Sequence, residues 1–268
     1  MHTPTISAQL WSVRDEITAD LDEALARLRA IVFANVEAFD FVSRAEALAQ
    51  AFARHDIACP TGHASLASTT ENPFDDSITA PSSDEVFAAA ATLGITTVFD
   101  PFVAPERWTT HTEIAATAAA LNAASEVGAA HGIAVGYHNH NQEFEAKIEG
   151  RFALEVFADL LDPAVQLELD LYWATAGGAD LVELLTTLGD RVTALHIKDG
   201  ACRAESGKPA NAACNITYDS TDTLKRFADA RGIEFPLLSD SGSETIKRYG
   251  LLNREMDPTS RFAGVPYP

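Results

Sequence analysis

The feature that most constrains the fold of this chain is a regular alternation of short β-type runs with longer segments of helical periodicity. Between the runs, apolar residues recur at helical spacing, for example at Leu21, Leu25 and Leu28. Strands that alternate with helices indicate parallel βα units. The candidate strands are "ISAQLW" from Ile6, "ANVEAF" from Ala34, "IACPTG" from Ile57, "ITTVFD" from Ile95, "IAVGYH" from Ile133, "VQLELD" from Val165, "VTALHI" from Val192 and "IEFPLL" from Ile233.

Several helical segments end in a glycine directly before the next strand. The stretches "ATLGITTVF", "AAHGIAVGY" and "DARGIEFPL" put Gly94, Gly132 and Gly232 where a helix C-cap leads into a strand. No composition shift or long linker marks a domain boundary. We therefore predict an α/β fold with a single (β/α)8 TIM barrel domain over residues 1–268. An open doubly wound sheet is the alternative.

Charge and termini exclude some classes of function. A net charge of -20 argues against nucleic acid as a partner, because such sites need clustered Lys and Arg. The N-terminal residues do not resemble a signal peptide and no apolar run approaches the ~18 residues of a membrane span, so we expect a cytoplasmic protein without a membrane partner. Cys59, Cys202 and Cys214 have no CxxC spacing, so they suggest neither a disulfide framework nor a zinc knuckle. Whether the chain forms a homo-oligomer is left open.

Polar residues at the predicted strand ends are the candidates for chemistry, because barrel active sites lie where strands end and βα loops begin. Any single one has a structural alternative, such as a helix N-cap for Asp100 or Asp199. Glu143, Asp170 and His196 together place two carboxylates and an imidazole on three successive strand ends, which suits Mn²⁺, Mg²⁺, Co²⁺ or Zn²⁺. The candidates are Glu37, His63, Asp100, the cluster from His138 to Glu143, Asp170, His196, Lys198 and Asp199.

These residues lie in stretches that resemble the sugar phosphate isomerase/epimerase superfamily of xylose isomerase-like TIM barrels. That superfamily includes inosose dehydratases, ketose 3-epimerases and 3-keto-sugar epimerases. The resemblance covers most of the chain up to about residue 199. The matching stretches, in chain order, are "AQLWSVRDE", "VEAF", "GYHNHNQEF", "ELDLYWATAGG" and "LHIKDG".

The resemblance implies one divalent ion held by Glu, Asp, His and Glu from the last four strands. Carried over, the first three ligands are Glu143, Asp170 and His196, with Glu145 as a fallback for the first. It further implies a sugar or polyol substrate. The implied catalytic residues are Glu143, His138 and Lys198, and the implied substrate-binding residues are His140, Asn139, Trp173, Trp11, Arg14 and His63.

The eighth strand departs from the family pattern. Where the family has a strand-end Glu, this chain reads "FPLLSDSGSE", so Leu238 or Ser239 falls at the position of the fourth ligand and Asp240 is the candidate substitute. The sequence therefore predicts a metal site that lacks one of its usual carboxylates.

The function predicted from these residues is a metal-dependent isomerase, epimerase or dehydratase that acts on a keto-sugar or polyol through an enediolate. The alternative is a catalytically impaired sugar-binding or partner subunit that keeps the barrel without the strand-eight Glu. A DNA repair endonuclease is a third reading of the same fold, which the acidity disfavours.

Overall fold

The computed structural model describes residues 5–31, 33–68, 70–72 and 75–198, and the short strands at 216–217 and 238–239. In 70–72, 75–78, 216–217 and 238–239 only the backbone is described. The strands are β1 (Ala8–Gln9), β2 (Asn35–Phe39), β3 (Ala58–His63), β4 (Thr70–Asn72), β5 (Asp75–Thr79), β6 (Thr97–Asp100), β7 (Ala134–His138), β8 (Lys147–Ile148), β9 (Arg151–Phe152), β10 (Gln166–Asp170), β11 (Val192–His196), β12 (Ile216–Thr217) and β13 (Leu238–Ser239).

Seven of these strands form one curled parallel sheet. Its order is β1-β2-β3-β6-β7-β10-β11, so each strand pairs with the next strand of the predicted βα series. The register brings strand ends side by side: Phe39 pairs with His63, and Asp170 pairs with His196. The first seven predicted strands are confirmed, with ends within a few residues of the prediction.

Of the predicted eighth strand the structure describes only the last residue, Leu238, which lies in β13. Leu238–Ser239 pairs in parallel with Ile216–Thr217 in a separate two-stranded sheet. Within the described residues the seven-stranded sheet is therefore open between β1 and β11, and a full (β/α)8 barrel is not seen. The edge strand β11 has an alternating, partly exposed pattern, and Leu195 is 41% exposed.

The helices lie between the strands as the periodicity predicts. Ser82 begins α4 with a capping box that includes Glu85, and Gly94 ends it with a positive φ of 75°. Gly132 follows α5 with a φ of 72°, whereas Gly232 lies outside the described residues. The helices are α1 (Arg14–Ala19), α2 (Leu21–Ala30), α3 (Ala45–His55), α4 (Ser83–Leu93), α5 (His111–Ala130), α6 (Gln142–Glu145), α7 (Ala153–Leu160), α8 (Leu171–Ala176) and α9 (Leu181–Leu188), with 3₁₀ turns at Leu10–Val13, Val42–Arg44, Pro105–Trp108 and Gly189–Arg191.

Two short hairpins were not predicted. β4 pairs with β5 in the acidic loop after β3, and β8 pairs with β9 after α6. Both lie in βα connections, where a parallel barrel accepts insertions without disturbing the sheet.

The core lies between the sheet and its helices. Val36, Val98, Val135 and Leu169 contribute one side of it from the strands, and all are fully buried. Trp108, Tyr137 and Phe157 form an aromatic cluster with ring centroids 5.1–5.3 Å apart. This packing fixes β7 and β10, which bear most of the candidate site. Among the described residues no helix is long and apolar enough to cross a membrane.

Candidate active site

Six side chains at the ends of the sheet strands form a connected inner polar layer: Gln9, Glu37, His63, His138, Glu168 and His196. Alternation along β10 directs Glu168 and Asp170 to the same face of the sheet, because residues two apart in a strand share a face. Glu168 pairs in register with His138 on the neighbouring strand. Six different strands thus contribute one side chain each to this layer.

Glu168 is the centre of this layer. Its Oε2 atom lies 2.8 Å from His63 Nε2, 2.8 Å from His138 Nδ1 and 3.9 Å from His196 Nδ1. One ligand atom from each of these four residues lies within 4.8 Å of the others, so the group could hold a metal ion. Of the predicted metal ligands that the structure describes, only His196 belongs to it.

The charges of the inner layer oppose one another. Burial lowers the pKa of His63, but the nearby Glu37 and Glu168 carboxylates outweigh it and raise that pKa to about 10. Burial raises the pKa of Glu168, yet hydrogen bonds from the imidazoles hold it well below its usual range. For His138, burial prevails and its pKa lies well below the ordinary value, so this ring is neutral.

A second group of side chains, the outer polar group, lies beside this layer and consists of His140, Glu143, Asp170, Trp173 and Lys198. Asp170 begins α8 as its N-cap, where Oδ1 accepts the backbone N–H of Trp173 at 2.9 Å. Its Oδ2 atom lies 2.9 Å from Lys198 Nζ and 3.6 Å from His138 Nε2. Although the lysine is close enough to form an ion pair, Oδ2 is a buried oxygen without a well-directed hydrogen bond.

Glu143 is buried and bonded through both carboxylate oxygens. Tyr137 donates its hydroxyl to Oε1 at 2.5 Å, and the backbone N–H of His140 donates to Oε2 at 2.8 Å. Burial raises the pKa of Glu143 to about 7, and the charge of Asp170 adds to that shift. The carboxyl group is therefore held in one orientation and is able to take or release a proton near neutral pH.

Three polar atoms of the outer group are buried without a hydrogen-bond partner: His140 Nδ1, Asp170 Oδ2 and Trp173 Nε1. The rings of His140 and Trp173 lie 5.9 Å apart, and Lys198 Nζ lies 5.4 Å from the centroid of Trp173. Burial, with the charge of Lys198, lowers the pKa of His140 to about 3, so its ring is neutral. The group offers donors and acceptors to a polar ligand.

A family comparison identifies the fold from the sequence. A family model described as xylose isomerase-like TIM barrel matches residues 28–231, about three quarters of the chain. The chain belongs to the xylose isomerase-like TIM barrel family. A second model, described as AhpC/TSA family, matches residues 203–268, about a quarter of the chain. The search of curated proteins finds no match.

Several solved structures are similar to this chain in fold. A sugar phosphate isomerase/epimerase from Parabacteroides distasonis ATCC 8503 is 22% identical with a TM-score of 0.63, covering 89% of this chain and 88% of that one. An AP endonuclease, family 2, from Brucella melitensis is 16% identical with a TM-score of 0.60, covering 92% and 99%. The probable 3-DHS dehydratase AsbF from Bacillus anthracis, involved in petrobactin synthesis, is 13% identical with a TM-score of 0.57, covering 94% and 100%.

The other predicted site residues of this xylose isomerase-like chain differ in their exposure and hydrogen-bond partners. Asn139 holds the backbone of Asp170, accepting its N–H at 2.9 Å and donating to its carbonyl at 3.3 Å. Trp11 is 49% exposed, and the guanidinium of Arg14 lies 4.7 Å from its ring centroid. The fallback ligand Glu145 is exposed and accepts a hydrogen bond from Asn141.

Some predicted residues lie outside or beside the site. Asp199, Asp240 and the side chains of Leu238 and Ser239 lie outside the described residues. Asp100 accepts the backbone N–H groups of Leu66, Ala67 and Phe102, so it organises loops.

Sequence reasoning missed Gln9, Tyr137 and Glu168. The alternation of "LELD" contained a signal for Glu168, because a carboxylate two residues before Asp170 in a strand lies on the same face. Nothing in the sequence paired Tyr137 with Glu143, since that contact depends on the turn between β7 and α6.

Proposed function

We propose that this chain is an isomerase, epimerase or dehydratase that removes a proton beside the carbonyl group of a keto-sugar or polyol-derived ketone. The observation that carries this proposal is the set of unpartnered buried polar atoms at His140, Asp170 and Trp173 around Lys198. Buried polar atoms cost free energy unless a partner reaches them. Hydroxyl and carbonyl groups of a sugar would supply such partners. The family supports enzymatic chemistry of this class.

We further propose that Glu143, Asp170 and His196 hold one divalent ion. Asp170 Oδ2 fits this role because it is a buried carboxylate oxygen without a well-directed donor. Each Glu143 oxygen accepts one hydrogen bond and keeps a lone pair for an ion, whereas the shared Glu168 oxygen of the inner layer lies 2.8 Å from both His63 and His138. Carboxylates with an imidazole suit Mn²⁺, Mg²⁺, Co²⁺ or Zn²⁺. When bound, the ion would act as a Lewis acid that stabilises an enediolate.

The protein's own residues would divide the remaining work. Lys198 would donate to the substrate oxygen that gains negative charge, since it is the described cation nearest to Asp170. His138 and Glu143 are the candidate bases, and both are held by hydrogen bonds in single orientations. Trp173 would form the apolar wall of the pocket while its Nε1 donates to a hydroxyl. His140 would bind a second hydroxyl.

The catalytically impaired alternative is not favoured. The candidate bases, the lysine and Asp170 all lie before residue 199, so they do not depend on the strand-eight Glu. An ion held by three protein ligands keeps open coordination positions, which Lewis-acid chemistry needs.

Hydrogen exchange into the substrate tests the proposal independently of the final product. The Mn²⁺-loaded protein in D₂O should exchange the C–H hydrogen beside the carbonyl in at least one member of a panel of ketoses and keto-inositols. NMR of the recovered sugar measures it. Isomerisation and epimerisation return a solvent deuteron to the sugar, and dehydration, which begins with the same proton removal, appears in the same spectra as loss of the substrate signals.

The variant to compare with the parent is Lys198→Met, which keeps most of the length of the side chain and removes its charge. We expect exchange to fall by roughly 10²–10³-fold, the scale of losing one oxyanion donor. Absence of both exchange and substrate loss across the panel with the loaded parent protein would reject the proposed reaction class.

A further inference from the structure

We infer that Glu168 is a positioning residue that holds His138 in the Nδ1–H tautomer, so that the Nε2 lone pair of His138 faces Asp170 and the substrate pocket. The inference assigns the proton-accepting atom of the site. Only its kinetic test rests on the proposed function. The inference rests on a continuous series of hydrogen bonds that starts at a backbone N–H. In this series each donor and each acceptor is defined.

The series begins at Gln9. Its Oε1 accepts the backbone N–H of Trp11 at 2.9 Å, and a backbone nitrogen can only donate. The amide orientation is thereby fixed, and Nε2 is the donor on the other side. It donates to Glu37 Oε1 at 2.7 Å and lies 3.3 Å from His63 Nδ1.

The second step is the protonation of His63. Because its Nδ1 faces an amide nitrogen that donates, the proton of the neutral ring lies on Nε2, and the charged ring carries a proton there as well. In both charge states Nε2 donates toward Glu168 Oε2 at 2.8 Å and Glu37 Oε1 at 3.0 Å. Glu168 Oε2 is therefore an acceptor.

The third step reaches His138. Its Nδ1 lies 2.8 Å from the same Glu168 oxygen, so this nitrogen must carry the proton. The neutral ring then has its lone pair on Nε2, 3.6 Å from Asp170 Oδ2. Two electron-rich atoms face each other there without a proton between them. A substrate hydroxyl or C–H beside this pair would meet a base that is already oriented.

The same reasoning argues against an ion within the inner layer. An ion bound by His63 Nε2, His138 Nδ1 and Glu168 would require both nitrogens without protons. Binding would remove the Nε2 proton that His63 donates to Glu168 in either charge state, and also the Nδ1 proton of His138. The hydrogen-bonded arrangement and the metal-bound arrangement therefore predict opposite protonation states for the same atoms.

The test is NMR of the full chain with ¹⁵N-labelled histidine, because long-range proton–nitrogen spectra distinguish protonated from unprotonated ring nitrogens. Signals of His138 are those lost in His138→Gln. The parent protein should show His138 protonated at Nδ1. A proton on Nε2 would overturn the inference, and so would Zn²⁺ binding directly to His63. This measurement needs neither substrate nor a variant of Glu168.

Two substitutions at position 168 separate positioning from simple structural support. Glu168→Leu removes the acceptor, and the His138 proton should move to Nε2, toward Asp170. Glu168→Gln keeps an oxygen at the shared position and should retain the Nδ1 proton. Glu37→Gln, which alters the layer without touching His138, is the matched control and should also retain it. An unchanged tautomer in a folded Glu168→Leu protein would contradict the inference.

The kinetic test uses whichever substrate the exchange experiment identifies. Glu168→Leu should lower kcat by roughly 10–100-fold with little change in KM, as for other residues that orient a functional imidazole. Glu168→Gln should recover most of the activity. Equal kcat in the Leu variant and the parent would show that His138 is not the base. A confirmed tautomer without turnover of any substrate would instead reject the proposed reaction.

Discussion

At the scale of single residues, Glu143 has the most unusual environment of the carboxylates in the outer group. Its folded pKa of about 7 lies above the ordinary 4.5, chiefly because it is buried. The native protein therefore keeps a proton that the unfolded chain releases. Since the folded state binds more protons, Glu143 lowers the free energy of unfolding as pH rises from about 4.5 to about 7.

Replacing Glu143 by Gln should remove this pH dependence in the metal-free protein. The amide can accept the His140 N–H and donate to the Tyr137 oxygen, so both contacts are kept. The variant should be more stable than the parent at pH 8, by about 1–3 kcal/mol, and the difference should shrink toward pH 5. Urea unfolding at several pH values measures it. The exposed Glu145→Gln is the control, and an equal pH dependence of both variants would contradict the burial argument.

Residue identity alone predicted part of this site. The types and strand-end positions of His138, Asp170, His196 and Lys198 were enough to select them, and the structure brings them to one end of the sheet. Asn139 was predicted to bind substrate, but its amide bonds the backbone of Asp170. A side chain's type does not reveal which of several nearby partners it will bond.

At the scale of elements, the position of Glu143 depends on the contact between α6 and the end of α8. A Cβ on Gly177 would overlap Phe144, the neighbour of Glu143. The φ of Gly177 is -76°, so alanine fits the backbone there and only the packing opposes it. The glycine thus permits the close approach that fixes α6 beside the site.

Gly177→Ala should therefore displace Phe144 and α6, lower stability by roughly 1–3 kcal/mol and weaken metal binding. Gly94→Ala is the control, since Gly94 has a positive φ, lies in open space and ends α4 away from the site. It should cost stability through backbone strain without changing the affinity for Mn²⁺. Thermal unfolding and calorimetric titration separate the two effects, and unchanged Mn²⁺ affinity in Gly177→Ala would contradict this role of the contact.

The order of the strands and helices could be predicted from the sequence, but the pairing of the last strand could not. Periodicity gave the first seven strands and the intervening helices, because each βα unit repeats the same local pattern. It also predicted a strand at "IEFPLL", whose last residue, Leu238, lies in β13. Its pairing with Ile216–Thr217 could not be predicted, because alternation of apolar residues specifies a strand but not its neighbour.

At the scale of the whole molecule, the two family matches overlap over residues 203–231, beyond the last strand of the seven-stranded sheet. The xylose isomerase-like match ends at residue 231, while the AhpC/TSA match begins at residue 203, just after β11. The sheet ends at β11 among the described residues. The candidate ligands that the structure describes all come before residue 199. The site proposed here is therefore built from residues of the first seven strands and the loops that follow them.

The most direct test of this account is the location of the divalent ion. Mn²⁺ titration by calorimetry, with elemental analysis, should give about one ion per chain for the parent and for Glu168→Gln. Asp170→Asn should weaken binding at least about 10-fold, although Asn still caps α8 and the fold is retained. If Asp170→Asn binds like the parent while Glu168→Gln loses the ion, the ion lies in the inner layer and the proposed site is wrong.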